Sequence, residues 1–170
     1  RTLTMSLYGD LDLSIIDELP PGRKDVITVH RKDKNRLKVF GFIRDQIKQG
    51  RQIYIVYPLI EESKKMDLKY LEDGLESITR EFDQENYSIG VMHGRMRSSN
   101  KDIEMNNFLN GKIDILISTT VIEVGVNVPN ASVMIIENAE KFGLSQLHQL
   151  RGRVGRGKYD SYCVLMTNDK

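Results

Sequence analysis

Three arginines alternate with three glycines in Gln149-Leu150-Arg151-Gly152-Arg153-Val154-Gly155-Arg156-Gly157, directly after a helical stretch, Leu144 to Gln149. Guanidinium groups stay charged at any working pH and grip phosphate oxygens through two parallel hydrogen bonds. Glycine lets the backbone approach a ligand closely and adopt positive φ. Arg153 and Arg156 are three residues apart, so on a helix or tight turn they would point the same way. Two fixed charges aimed at one spot are what an arginine finger brings to the transfer of a γ-phosphoryl group. A basic, glycine-rich surface turn that grips nothing would use the same residue types. The longer spacing Gln-x-x-Gly-Arg-x-x-Arg favours the catalytic reading.

A second cluster runs from Ile117-Ser118-Thr119-Thr120 through Val121-Ile122-Glu123-Val124-Gly125-Val126-Asn127-Val128-Pro129. Thr119 and Thr120, at the end of a strand, can offer hydroxyls and amides to a phosphate, especially if a helix starts there. Gly125 would let the chain turn beside a ligand, and Pro129 marks the next break. Taken alone, Thr-Thr after a strand is an ordinary helix cap. His93-Gly94-Arg95-Met96 places an imidazole, a bare backbone and a guanidinium at another strand end, a nucleic-acid contact. A polar loop in which Arg95 is simply solvated fits those four residues equally well.

Two further segments imitate nucleotide motifs. Gly152 to Tyr159 nearly spells a Walker A loop, but Tyr159 replaces the hydroxyl residue that holds Mg²⁺, and the segment follows a helix rather than a strand. Ile15-Ile16-Asp17-Glu18 imitates a Walker B strand, yet the break at Leu19-Pro20-Pro21-Gly22 follows at once, so a linker is the better reading. Neither can cradle the β- and γ-phosphates of ATP, and no metal site is expected in this chain.

The elements that must position these residues alternate along the chain. Val26 to Val29 reads as a strand. Asn35 to Gln49 reads as a helix with Leu37, Phe40, Ile43 and Ile47 on one face and Gly50 as its stop. Ile53 to Tyr57 is a buried-type strand, and Leu68, Leu71, Leu75, Ile78 and Phe82 form the core stripe of a second helix. Ser88 to Met92 is a short strand. Ser99 and Asp102 form a capping box for a helix that ends at Gly111. Ile113 to Ser118, Val133 to Ile136 and Tyr162 to Met166 complete the strands. This alternation predicts an α/β fold with a mainly parallel, doubly wound sheet and helices on both faces. Ligands then sit beyond the carboxyl ends of the strands, where Pro58 to Ser63, His93 to Met96, Thr119 to Gly125 and Asn138 to Gly143 fall.

A chain of 170 residues with 39% hydrophobic and 29% charged residues is one globular domain. Its net charge of +1 excludes a polybasic binder, so phosphate contacts must come from local clusters. The single cysteine, Cys163, excludes an internal disulfide and suits a buried thiol in a reducing cytoplasm. No apolar stretch approaches the roughly 20 residues of a membrane span. A start at Arg1 rather than Met is read as a piece of something longer.

The arginine run resembles motif VI of superfamily 2 helicases, and the Thr119 segment resembles motif V in kind and order. With Tyr57-Pro58-Leu59-Ile60-Glu61-Glu62-Ser63 and Ile16-Asp17-Glu18-Leu19-Pro20-Pro21-Gly22-Arg23, the whole chain is similar to the RecG family of bacterial DNA helicases, most specifically at Thr119–Ser132 and Gln146–Gly157. The resemblance implies a RecA-like second motor lobe over residues 24–170, preceded in 1–23 by the end of the first lobe and the interlobe linker. It implies Arg153 and Arg156 as arginine fingers and Gln149, Gly125 and Asn127 beside the nucleotide. Thr119, Thr120, His93, Gly94 and Arg95 would then touch DNA. Many relatives have Asp where Asn127 stands, which puts a ribose contact there in doubt. ATP and Mg²⁺ would be bound mainly by the first lobe of the full-length enzyme, and none by this chain alone. Branched or forked DNA would be the partner of a cytoplasmic, monomeric repair and recombination enzyme without membrane contact. A transcription–repair coupling translocase shares this lobe and the arginine run, but the Leu-Pro-Pro-Gly linker and the wording Val-Ile-Glu-Val-Gly-Val favour the RecG family. A non-enzymatic nucleic-acid-binding module of motor-like fold would have no need of both Arg153 and Arg156.

Overall fold

The computed structural model describes residues 26–58, 64–93, 96–119, 128–154 and 159–168. Among these, β1 (Val26–Lys32), β2 (Gln52–Tyr57), β3 (Ile89–Met92), β4 (Ile115–Thr119), β5 (Ala131–Ile136) and β6 (Ser161–Thr167) form one sheet in the order β1-β6-β5-β2-β4-β3. Every pairing is parallel. Four α-helices belong to it: α1 (Arg36–Lys48), α2 (Lys64–Glu81), α3 (Ser98–Leu109) and α4 (Leu144–Arg151).

The expected helices on both faces are seen in how the strand residues divide. Ile53, Ile55 and Tyr57 of β2 join Ile115, Ile117, Val133, Ile135, Val164 and Met166 in a core with Val39, Phe40 and Ile43 of α1 and Leu71 and Ile78 of α2. Their alternates Tyr54, Val56, Leu116, Met134, Ile136, Cys163 and Leu165 pack with Met105 and Phe108 of α3 and Leu147 and Leu150 of α4. Period-two alternation with both faces covered is why these strands are continuously apolar. On the first face, Phe82 stands edge-on to Phe40 at 5.7 Å and to Tyr87 at 5.1 Å. Arg44 of α1 lies 4.9 Å over the same ring and reaches Glu81 of α2 at 2.9 Å, tying the two helices together.

Gly50 and Gly111 adopt φ of 88° and 78° just past α1 and α3, the left-handed stop that the sequence placed there. Three local readings differ from the structure. Leu37, assigned to the apolar face of α1, is 71% exposed, because it stands in the first turn and the burial of that helix begins at Val39. The capping box does not form: α3 begins at Ser98, Arg97 occupies the cap position with no side-chain bond, and Ser99 lies inside the helix. Thr119 is the last residue of β4 rather than the first of a loop.

Candidate functional site

The carboxyl ends of β3 and β4 bring two of the candidate residues together. Met92 pairs with Ser118, so His93 and Thr119 are the next residues on neighbouring strands. His93 is half-buried, and its backbone N–H donates to Met96 Sδ at 3.3 Å while Met96 N–H returns to the His93 carbonyl at 3.2 Å. Thr119 pairs with Tyr57 of β2 and is only 3% exposed. Its hydroxyl and that of Ser118 are buried without a hydrogen-bond partner. An orphaned buried hydroxyl is costly, on the order of 1–3 kcal/mol, and Thr119 is therefore a group with a hydrogen bond still to make.

The arginine segment lies elsewhere on the fold. α4 leaves the carboxyl side of β5 behind Gly143, whose N–H is capped by Gln146 Oε1 at 2.9 Å. Leu147 and Leu150 press it on the sheet, and Val154, 1% exposed, pins the turn that follows. That turn is drawn tight by Gly152 N–H to the His148 carbonyl and Arg153 N–H to the Leu150 carbonyl, both 3.0 Å. Gly152 has φ −69° and ψ −9°, so its freedom to take positive φ, expected from the sequence, is not used. Gln149 is exposed and Arg153 half-buried. Arg153 comes close enough to Tyr54, in the middle of β2, to act on its phenol: burial pushes the Tyr54 pKa up to about 12, and the guanidinium pulls against that rise. Beyond the turn, Tyr159 receives the Arg51 guanidinium flat on its ring at 3.2 Å. Arg51 immediately precedes β2, and Leu147, Leu150 and Val154 belong to the α3–α4 core, so the described part of the segment flanks that face of the sheet. Gly94, Arg95, Thr120, Gly125, Asn127 and Arg156 lie outside the described residues.

Buried ionisable groups outside these positions were not singled out in the sequence. Glu137, directly after β5, is 4% exposed. Arg36 holds both its oxygens, Nη1 to Oε2 at 2.6 Å and Nη2 to Oε1 at 2.9 Å, and donates Nε to Asp33 Oδ1 at 2.6 Å. Burial opposes the Arg36 charge, but the bonds and attraction of Glu137 and then Asp33 outweigh it and push its pKa up. Tyr57 beside them is pushed well above the ordinary phenol range by burial and then by Glu137, with Arg36 opposing. The only signal in sequence was an acid placed straight after an apolar strand. Among the described residues no three His, Cys, Asp or Glu side chains are grouped to hold a metal, and no helix is long and apolar enough to cross a membrane.

At the carboxyl ends of β5 and β2, side by side in the sheet, the described residues place the Arg36–Glu137 pair. Beside the core residue Val154, Arg153 presents a guanidinium, a group that grips phosphate oxygens through two parallel hydrogen bonds. With this parallel, doubly wound fold, the chain belongs to the family of helicase conserved C-terminal domains, whose pattern matches residues 31–158. Over its whole length it is similar to the bacterial ATP-dependent DNA helicase RecG. It is 52% identical to RecG of Synechocystis sp. over 170 residues, all of this chain and 20% of the relative, and 48% identical to RecG of Bacillus subtilis over 170 residues, 25% of that protein. The chain thus spans a fifth to a quarter of the curated relatives it matches. A solved RecG bound to a three-way DNA junction superposes with a TM-score of 0.74 at 46% identity, covering 99% of this chain and 22% of the other. The second domain of the DEAD-box helicase Mss116p, 18% identical with a TM-score of 0.65 over 84% of this chain and 54% of that one, shares the fold.

Proposed function

We propose that this chain, over residues 24–170, is the second motor lobe of a RecG-type ATP-dependent DNA helicase, with residues 1–23 joining it to a first lobe that binds ATP and Mg²⁺. The observation that carries the reading is the turn that bears Arg153, fastened to the sheet by Leu150 and Val154. Arg153 and Arg156 would reach a γ-phosphate held across the interlobe cleft, with Gln149, Gly125 and Asn127 nearer the rest of the nucleotide. Thr119, whose hydroxyl lacks a partner, would take a DNA phosphate oxygen together with Thr120, His93, Gly94 and Arg95. The whole protein would remodel branched or forked DNA in repair and recombination, as a cytoplasmic monomer.

Arginine fingers stabilise charge that develops as the bond breaks, so their contribution belongs to the transition state. Arg156→Ala in the full-length enzyme is expected to lower DNA-stimulated turnover about 10³-fold or more while nucleotide affinity changes little. Arg156→Lys does not restore it, because a point charge lacks the planar fork. Near-normal kcat in Arg156→Ala, or equal loss of ATP binding and turnover, refutes the assignment.

A further inference from the structure

We propose that Arg36 and Glu137 form a latch that positions the arginine-bearing turn, by locking the β1–α1 corner to the connection between β5 and α4. The inference rests on the reading of Arg153 as a finger and names residues, separated by 101 positions, that would act through it.

The site of the pair is informative. Val56 and Ile136 are register partners, so β2 and β5 end side by side. The helix after β2 goes to one face of the sheet and the helix after β5 to the other. Such a switch point is where doubly wound sheets open a crevice for ligands. Here a buried carboxylate and a bidentate guanidinium occupy that place, near enough to the buried Tyr57 phenol for both charges to act on it. A buried ion pair contributes little net stability compared with apolar residues of the same volume. What it supplies is orientation, since two parallel N–H···O bonds fix both position and direction.

The orientation is passed along a short, stiff path. Glu137 is held a second time by its own N–H, which donates to the Val56 carbonyl at 2.9 Å. The chain then turns through Asn138 in the left-handed region, φ 50°, and a single 3-10 turn at Ala139–Lys141. Ala139 and Phe142 are buried in the core shared with α4. Gly143 starts the helix, and two turns later stands Arg153. At the other end, Arg36 opens α1 directly behind β1, the first described strand after the stretch 1–25. The latch therefore links the corner by which the lobe joins the preceding chain to the segment that carries its arginines.

The test uses the full-length enzyme and its DNA-stimulated ATP turnover, with kcat, KM for ATP and thermal midpoint measured for Arg36→Ala, Glu137→Ala, the double variant, Arg36→Lys and Arg153→Ala. A core variant on the opposite face, Phe82→Leu, serves as a reference for simple loss of stability. Misplacing a catalytic group by about 1 Å can cost about 100-fold, so each single latch variant is expected to lose about 10- to 100-fold in kcat with KM within about twofold. The double variant should lose no more than the worse single one, and Arg36→Lys, which keeps the charge and not the fork, should recover part of the rate. A kcat loss no larger than that of Phe82→Leu at equal thermal midpoint, or a rise in KM instead, overturns the latch. If Arg153→Ala is inactive while the latch variants are not, the latch alone falls; if Arg153→Ala keeps its kcat, the finger reading falls and takes the latch with it.

Discussion

Gly74 lies in the middle of α2, buried against Tyr57 at the end of β2. Replacing a mid-helix glycine with alanine ordinarily stabilises by about 1 kcal/mol, since glycine loses more backbone freedom on folding. Here the opposite sign is expected. A Cβ at position 74 would overlap Tyr57 Oη and Cζ outright and stand 2.8 Å from Cε1. The ring has no room to swing, because Tyr57 is 6% exposed and its strand is hydrogen-bonded on both sides. Relief would have to come from α2, whose Leu71 and Ile78, with Phe82 just past its end, are seated in the core. Overpacking of this kind costs about 1–3 kcal/mol. The overlap involves the phenol oxygen and two ring carbons, so the upper figure applies, and after the propensity gain a net loss of about 2 kcal/mol remains. Urea unfolding of the chain followed by far-ultraviolet circular dichroism reads this directly, as a midpoint lowered by about 1 M at an m-value of about 2 kcal/mol/M. In a Tyr57→Leu background, where the distal ring atoms are gone, Gly74→Ala should become neutral or stabilising. A midpoint for Gly74→Ala equal to or above that of the unaltered chain would refute the packing argument, as would an equal loss in both backgrounds.

Cys163 is 1% exposed and burial lifts its thiol to about 12, with Arg151 opposing, so alkylation by iodoacetamide at pH 8 should proceed only as fast as the fold opens and rise sharply in urea. Phe108→Ala, which empties a fully buried site edge-on to Tyr54 at 4.8 Å, should cost about 3–5 kcal/mol in the same unfolding assay. The isolated chain should neither turn over ATP nor bind it tightly; micromolar affinity in calorimetry would contradict the account of the filled switch point. Its binding to single strands or duplexes should be weak and salt-sensitive, about 10⁻⁴–10⁻⁶ M, and tight selective binding of a forked substrate would show that recognition lies in this lobe.

The sheet was legible because its strands are buried on both faces. Runs such as Ile53–Tyr57 and Val133–Ile136 have no polar alternation to confuse them with surface strands, and the residues of each run divide cleanly between the two cores. The helix stripes at Phe40 and Ile43, and at Leu71, Ile78 and Phe82, were legible for the same reason of repeated burial. Errors fell where one residue decides the outcome. Leu37 fits the apolar period of α1 but precedes the first turn that touches the sheet. Ser99 and Asp102 have capping-box spacing, yet the extended backbone at Arg97 starts α3 one residue before Ser98's neighbour could serve as its cap. Of the candidate site, the arginine run is visible as local spacing, and its described part, through Val154, is seated in the core. Glu137 did not, since its partner Arg36 is brought to it only by the ordering of the strands.

The pairing of β1 with β6 has a consequence for how such a lobe comes into being on the ribosome. Among the described residues the first strand lies at the edge of the sheet, and its one hydrogen-bonding neighbour is the last of these strands to be made. At about 5–20 residues per second, β1 waits roughly 7–27 s for β6. During that interval β2, β5, β4 and β3 can already register against one another, while Val26 and Thr28, buried in the finished lobe, remain in water. Long-range parallel pairing of this kind is slow and exposes sticky edges while it waits. Transfer of residues 26–32 to follow β6, through a circular permutation, would turn the slowest closure into a local one, and the same native sheet should then be reached faster and with less aggregation.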